Sequence, residues 1–154
     1  MKFGFREIRR QIFELSKEIT VAFLIYLFIQ AALISIFGVY PSYRVVVSGS
    51  MEPVYYRGDV VFIKSVDPLT LQVGDIIVFE NPRDDTPIVH RISEIIKENR
   101  LYFVTKGDNN FSEDNYYPSY PGIPQEHVIG EVAFHIPKVG GITLFLRDLL
   151  RGIF

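Results

Sequence analysis

Hydrophobic and polar positions divide the chain into three regimes. From Ile19 to Tyr40 the sequence ITVAFLIYLFIQAALISIFGVY runs 22 residues without an Asp, Glu, Lys or Arg. A helix of that length covers about 33 Å, enough to cross a hydrocarbon core of about 30 Å. Tyr40 offers a ring suited to the headgroup level, and Pro41 is expected to stop the helix. The run is too long for the apolar core of a cleaved signal peptide, and SIFGVYPS supplies no convincing small-x-small pair after it. An uncleaved anchor is therefore expected over 19–40. In the preceding segment, 1–18, Phe3, Phe5, Ile8, Ile12, Phe13 and Leu15 are interleaved with Lys2, Arg6, Arg9, Arg10 and Lys17. This segment reads either as an amphipathic helix on the inner leaflet or as a charged helical extension of the anchor. The basic residues place it on the cytoplasmic side, so the rest of the chain is expected outside, as a single-pass protein of the cell membrane.

Beyond Pro41 the pattern changes. YRVVVS, DVVFIKS, DIIVFE, IVHRISEII, LYFVTK and VIGEVAFHI are short, rich in β-branched and aromatic residues, and separated by Gly, Pro, Asn and Asp. Six or more such strands predict a mainly β domain over 41–154, a small antiparallel barrel or packed sheets. The last segment, GGITLFLRDLLRGIF, returns to a helical period. Leu144, Phe145, Leu149 and Ile153 fall roughly on one face, interrupted by Arg147, Asp148 and Arg151. It is too short and too charged to span, so it either rests on the outer membrane surface or caps the domain.

Composition changes this picture mainly by exclusion. With 16 basic and 18 acidic residues the net charge is −2, and region 41–154 holds 11 bases against 15 acids. No concentrated basic face argues for nucleic acid. The chain has no cysteine and only three histidines, without HExxH spacing, so neither a thiol nucleophile nor a metal site is expected. No glycine-rich phosphate loop is present, and no cofactor is implied.

Candidate chemistry gathers at turns. SGSMEP, residues 48–53, puts Ser50 at a turn tip beside Met51, an apolar residue that suits a membrane-facing or substrate-facing contact or a core position. Gly-Asp occurs three times. Gly58-Asp59 and Gly74-Asp75 introduce strands, as turn chemistry explains. Gly107-Asp108 instead opens the irregular acidic stretch KGDNNFSEDNYYP, with Glu113 and Asp114 close behind. Strand alternation puts Ile88, His90 and Ile92 on one face, Val89 and Arg91 on the other. His127 and His135 lie near the ends of a late strand. A serine hydroxyl needs a neighbour to take its proton. Histidine does so near neutral pH, and a carboxylate fixes its tautomer. Ser50, His90 and either Asp108 or Asp114 supply those groups. Lys64, Lys97 and Lys106 keep a Ser-Lys pair open, provided one is desolvated.

Taken in order after an anchor, SGSMEP (48–53), GDIIVF (74–79), HRI (90–92) and GDNN (107–110) with Asp114 resemble type I signal peptidase of the archaeal and endoplasmic-reticulum kind. The resemblance covers the anchor and nearly all of the outer domain. It implies a coiled β-sheet catalytic domain and a membrane-bound serine endopeptidase that removes signal peptides from exported preproteins after small residues at −1 and −3. By the same resemblance Ser50 is the nucleophile and His90 the base. Asp114 is the triad acid and Asp108 a supporting one, roles that could be exchanged. Ser48 and the Ser50 backbone N–H would bind the oxyanion. Signal peptides, the bilayer and export components are the partners it implies. Two rival functions stand beside it: a self-cleaving repressor-type Ser-Lys domain, and a non-catalytic anchored β-domain that binds export components.

Overall fold

A computed structural model describes residues 4–84 and 86–151. Lys2, Phe3 and Ile153 of the sequence reading lie outside the described residues. The chain divides into a helical unit, Met1–Ile36, and a second unit, Phe37–Phe154.

The helical unit is a continuous helix, α1 (Phe5–Phe37), so the charged stretch is the first turns of the same helix that carries the apolar run. Its apolar run passes the length and hydropathy requirements of a membrane span, with none of that window buried. The helix ends at Phe37, four residues before the expected stop at Pro41. Gly38 adopts a left-handed conformation, φ 69°, which glycine reaches without a Cβ penalty. The orphaned carbonyl of Phe37 accepts a hydrogen bond from the Ser65 N–H at 2.6 Å.

The second unit is one seven-stranded sheet: β1 (Tyr43–Val45), β2 (Val60–Lys64), β3 (Ile76–Phe79), β4 (Ile88–Lys97), β5 (Leu101–Lys106), β6 (Ile123–Pro124) and β7 (Val128–Ile136). The strands lie in the order β1-β2-β7-β3-β4-β5-β6, every pair antiparallel. The mainly β expectation holds. Register shifts at Phe62/Ile63, Val78/Phe79 and Ile92/Glu94 mark bulges, which bend strands and sharpen the local twist. β7 is the last strand in sequence but pairs with both β2 and β3, joining the early and middle strands.

The core has two parts. Leu71, Ile77, Phe79, Ile92, Leu101, Phe103 and Ile123 pack on one side, and Val46, Met51, Tyr55 and Val61 on the other. Met51 is 2% exposed, which decides its role: it is a core residue that pins the 48–53 turn to the sheet. The C-terminal segment forms α2 (Gly141–Arg151).

Candidate active site

Three separate segments meet around His90, whose ring packs against Phe79 of the first core cluster. Ser50 stands at the head of the turn whose next residue, Met51, is buried, so the hydroxyl is displayed by a fixed apolar anchor. His90 sits in β4 opposite Ile77 of β3, on a buried face with the Phe79 ring edge-on to it. Asp114 belongs to the irregular loop after β5. Its backbone N–H returns to the Thr105 carbonyl of β5 at 2.8 Å, and this bond brings the loop back against the sheet.

The Oδ2 atom of Asp114 lies 2.6 Å from His90 Nδ1, and His90 Nε2 lies 2.9 Å from Ser50 Oγ. The His90 and Asp114 side chains are only 4% and 6% exposed. An ionised carboxylate can only accept, so Nδ1 carries the proton and Nε2 is left as the acceptor for the Ser50 hydroxyl. With that proton directed at the imidazole, the Ser48 hydroxyl, 3.2 Å away, donates to Ser50 Oγ.

Asp108 is placed differently. It takes no bond from His90; both its oxygens accept from Arg91, at 2.9 Å from Nε and 2.7 Å from Nη2. Arg91 also donates to the Gly74 carbonyl at 2.7 Å. Asp108 therefore ties the loop to β4 and to the turn before β3, and its bond raises the Arg91 pKa above the usual value. Among the described residues no lysine is a hydrogen-bond partner of Ser50 Oγ, and Lys64 pairs with Glu131. His127 pairs with Glu80, and His135 stacks edge-on against Tyr55.

Four further residues take structural roles at the site that the sequence does not announce. Thr105, 1% exposed, donates its hydroxyl to the same Asp114 oxygen at 2.6 Å. A hydroxyl inside the apolar run LYFV-T was its only signal. Arg91 stands out in sequence only by its place on the opposite face of the strand from His90. Asn109 donates its backbone N–H to the Ser50 carbonyl at 2.8 Å and its side-chain amide to the Gly49 carbonyl at 3.1 Å. Gly107 leaves no room for a side chain: a Cβ there would stand 2.6 Å from the Ser50 carbonyl oxygen and 2.8 Å from His90 Nε2. The GDNN turn is thus packed directly on the SGS turn. Nearby, Tyr116 has its phenol pKa raised, first by burial and then by the Asp114 charge.

A hydroxyl, an imidazole and a buried carboxylate in hydrogen-bonded sequence form the arrangement of a serine hydrolase, able to lower the cost of deprotonating the hydroxyl as it attacks a carbonyl. Here the array stands on an antiparallel sheet that follows a helix of membrane-spanning length. The family model described as "Signal peptidase, peptidase S26" matches residues 12–97, a stretch that includes Ser50 and His90. The chain belongs to that family. It is similar to the signal peptidase complex catalytic subunit SEC11 of Schizophyllum commune, 37% identical over 68% of this chain and 64% of the relative. It is likewise similar to the sec11 catalytic subunit of Dictyostelium discoideum, 41% identical over 68% of this chain and 60% of the relative. The human catalytic subunit SEC11C is 35% identical over 68% of this chain and 56% of the relative. The chain thus spans somewhat under two thirds of the length of these relatives.

Proposed function

We propose that this protein is a membrane-anchored serine endopeptidase that removes N-terminal signal peptides from exported preproteins. The observation that carries the reading is the pair of bonds made by one imidazole, to Asp114 through Nδ1 and to Ser50 through Nε2. Segment 1–18 stays in the cytoplasm, 19–40 crosses the membrane, and 41–154 is the outer catalytic domain. As in the relatives named as catalytic subunits of a signal peptidase complex, other export components are its partners.

Ser50 Oγ attacks the carbonyl carbon at the cleavage site while His90 Nε2 takes the hydroxyl proton. The negative charge that develops on the carbonyl oxygen is met by the Ser50 backbone N–H and the Ser48 hydroxyl. His90 then gives its proton to the leaving amine, and the mature protein departs with a free N-terminus. Water, losing a proton to His90, attacks the acyl-enzyme and releases the signal peptide as a carboxylate; the proton returns to Ser50. Asp114 orients the imidazole and stabilises its charged form throughout. Cleavage after small side chains at −1 and −3 is what the family resemblance implies. An anchored enzyme and a bilayer-inserted signal peptide search a plane rather than a volume, which raises their effective concentration.

The test is cleavage of a preprotein bearing a small-x-small site by the purified protein in detergent. Ser50→Ala and His90→Ala are expected to abolish cleavage with the fold intact by thermal melting. Cleavage at the normal rate by Ser50→Ala would exclude Ser50 as nucleophile.

A further inference from the structure

α2 has two unlike faces. Leu144 is buried, 6% exposed, and one turn on Asp148 pairs with Arg57 at 2.5 Å, so this side of the helix is fixed to the β unit. The start of the helix is seated by the Gly140 N–H, which donates to the Gly58 carbonyl at 2.9 Å. The other side carries Ile142, Phe145, Leu146, Leu149 and Leu150, between 52% and 75% exposed. Their spacing of i, i+3, i+4, i+7 and i+8 makes one continuous apolar stripe. Val139, 60% exposed, extends it at the N-terminal end. Single exposed leucines need no explanation, but five in a row along one helix face do.

We propose that this stripe is a membrane contact: α2 lies along the outer leaflet with its five apolar side chains in the boundary between headgroups and acyl chains. The inference rests on the reading of α1 as a bilayer-spanning anchor. The β unit follows α1 directly in the chain, so it is tethered to the bilayer that α1 spans and meets lipid at high effective concentration. A second copy of the chain fits less well. An 11-residue helix is about 16 Å long and about 10 Å wide, a footprint of roughly 160 Å², against about 800 Å² per partner in a stable interface. An interfacial helix needs no such area, because lipid accommodates any apolar stripe laid parallel to the surface. Docked on lipid by one face and on the sheet by the other, α2 restricts how the β unit tilts and fixes the height of the Ser50 turn above the bilayer.

The chain has no tryptophan, so a single introduced indole is an unambiguous probe. Full-length Leu149→Trp and Phe145→Trp variants are reconstituted into phosphatidylcholine and phosphatidylglycerol vesicles, with and without lipids brominated in the upper acyl chain. Flotation after an alkaline wash first reports whether α1 anchors the chain; loss of the protein from the vesicles would remove the anchor reading itself. With the chain retained, blue-shifted emission that falls at least about twofold in brominated vesicles and resists aqueous acrylamide supports the contact. Emission quenched by acrylamide but not by bromine places the stripe in water and overturns the proposal. Emission quenched by neither places it against protein, in a second copy, and overturns it equally.

Discussion

Gly107→Ala tests whether the GDNN turn holds Ser50 and His90 together. The added Cβ would lie 2.6 Å from the Ser50 carbonyl oxygen, 2.8 Å from His90 Nε2 and 2.8 Å from Asn110 Nδ2. Asn110 can turn aside. His90 cannot, because its Nδ1 is held by Asp114, and the Ser50 oxygen is backbone. An ordinary carbon–oxygen contact is about 3.3 Å, so the two turns must separate by about 0.7 Å. Most of that movement is imposed on the 48–50 segment, and it stretches the Ser50–His90 bond from 2.9 Å to about 3.5 Å, beyond useful hydrogen bonding. A displacement approaching 1 Å between reacting groups costs about 10²-fold in rate. Overpacking adds a stability loss of about 1–3 kcal/mol. The assay is steady-state cleavage of a preprotein in detergent, with thermal melting alongside. The expected result is kcat down about 10²-fold, KM little changed and a cooperative melt at reduced temperature. Gly141→Ala, whose Cβ meets nothing within 4 Å, is the control and should cleave at the normal rate. Wild-type kcat in Gly107→Ala would refute the close packing of the two turns as the source of alignment.

Four further outcomes are expected. Asp114→Asn should cost about 10⁴-fold in kcat with KM nearly constant, because the amide presents the wrong partner to Nδ1; pre-steady-state cleavage measures it. Thr105→Val should lower kcat about tenfold, since a buried carboxylate oxygen loses one of its two donors, while Thr105→Ser restores it. In the Asp114→Asn background the same Val replacement should cost nothing more, because the hydroxyl acts through the carboxylate. Arg91→Lys should lower the thermal midpoint and kcat together, since an ammonium cannot rebuild the two-pronged bond to Asp108; unchanged melting would remove the tie between loop and β4. Tyr116→Phe should leave the alkaline limb of the pH profile in place, since burial and the Asp114 charge both raise the phenol pKa and keep it neutral as pH rises through the working range.

The strands and the long apolar helix were legible because each rests on a local period: 22 uncharged residues for the helix, alternating β-branched and aromatic residues for the sheet. The end of α1 was not. Pro41 is the stronger stop signal in sequence, yet Gly38 ends the helix first because the next bonds go elsewhere: the Phe37 carbonyl to Ser65, the Val39 carbonyl to the Ser42 hydroxyl. The place of β7 between β2 and β3 is a long-range pairing, and nothing in VIGEVAFHI announces its partners.

The residue types of the site were readable as types, but their division of labour depends on where a loop turns back. Asp108 and Asp114 lie six positions apart in one irregular stretch, and local chemistry treats them alike. What separates them is the Asp114 N–H bond to Thr105, which delivers the later carboxylate to His90, and the fork of Arg91, which captures the earlier one on the far face of the same strand. Strand alternation therefore sorts the acids: neighbouring residues of β4, on opposite faces of the strand, each take one carboxylate. Exchanging them would require β4 to slip by a single residue, and that slip would also carry the buried Ile92 out of the core. The pairing of His90 with Asp114 is thus upheld by the packing of the whole sheet, and the Ser50–His90–Asp114 array stays aligned only as long as that register holds.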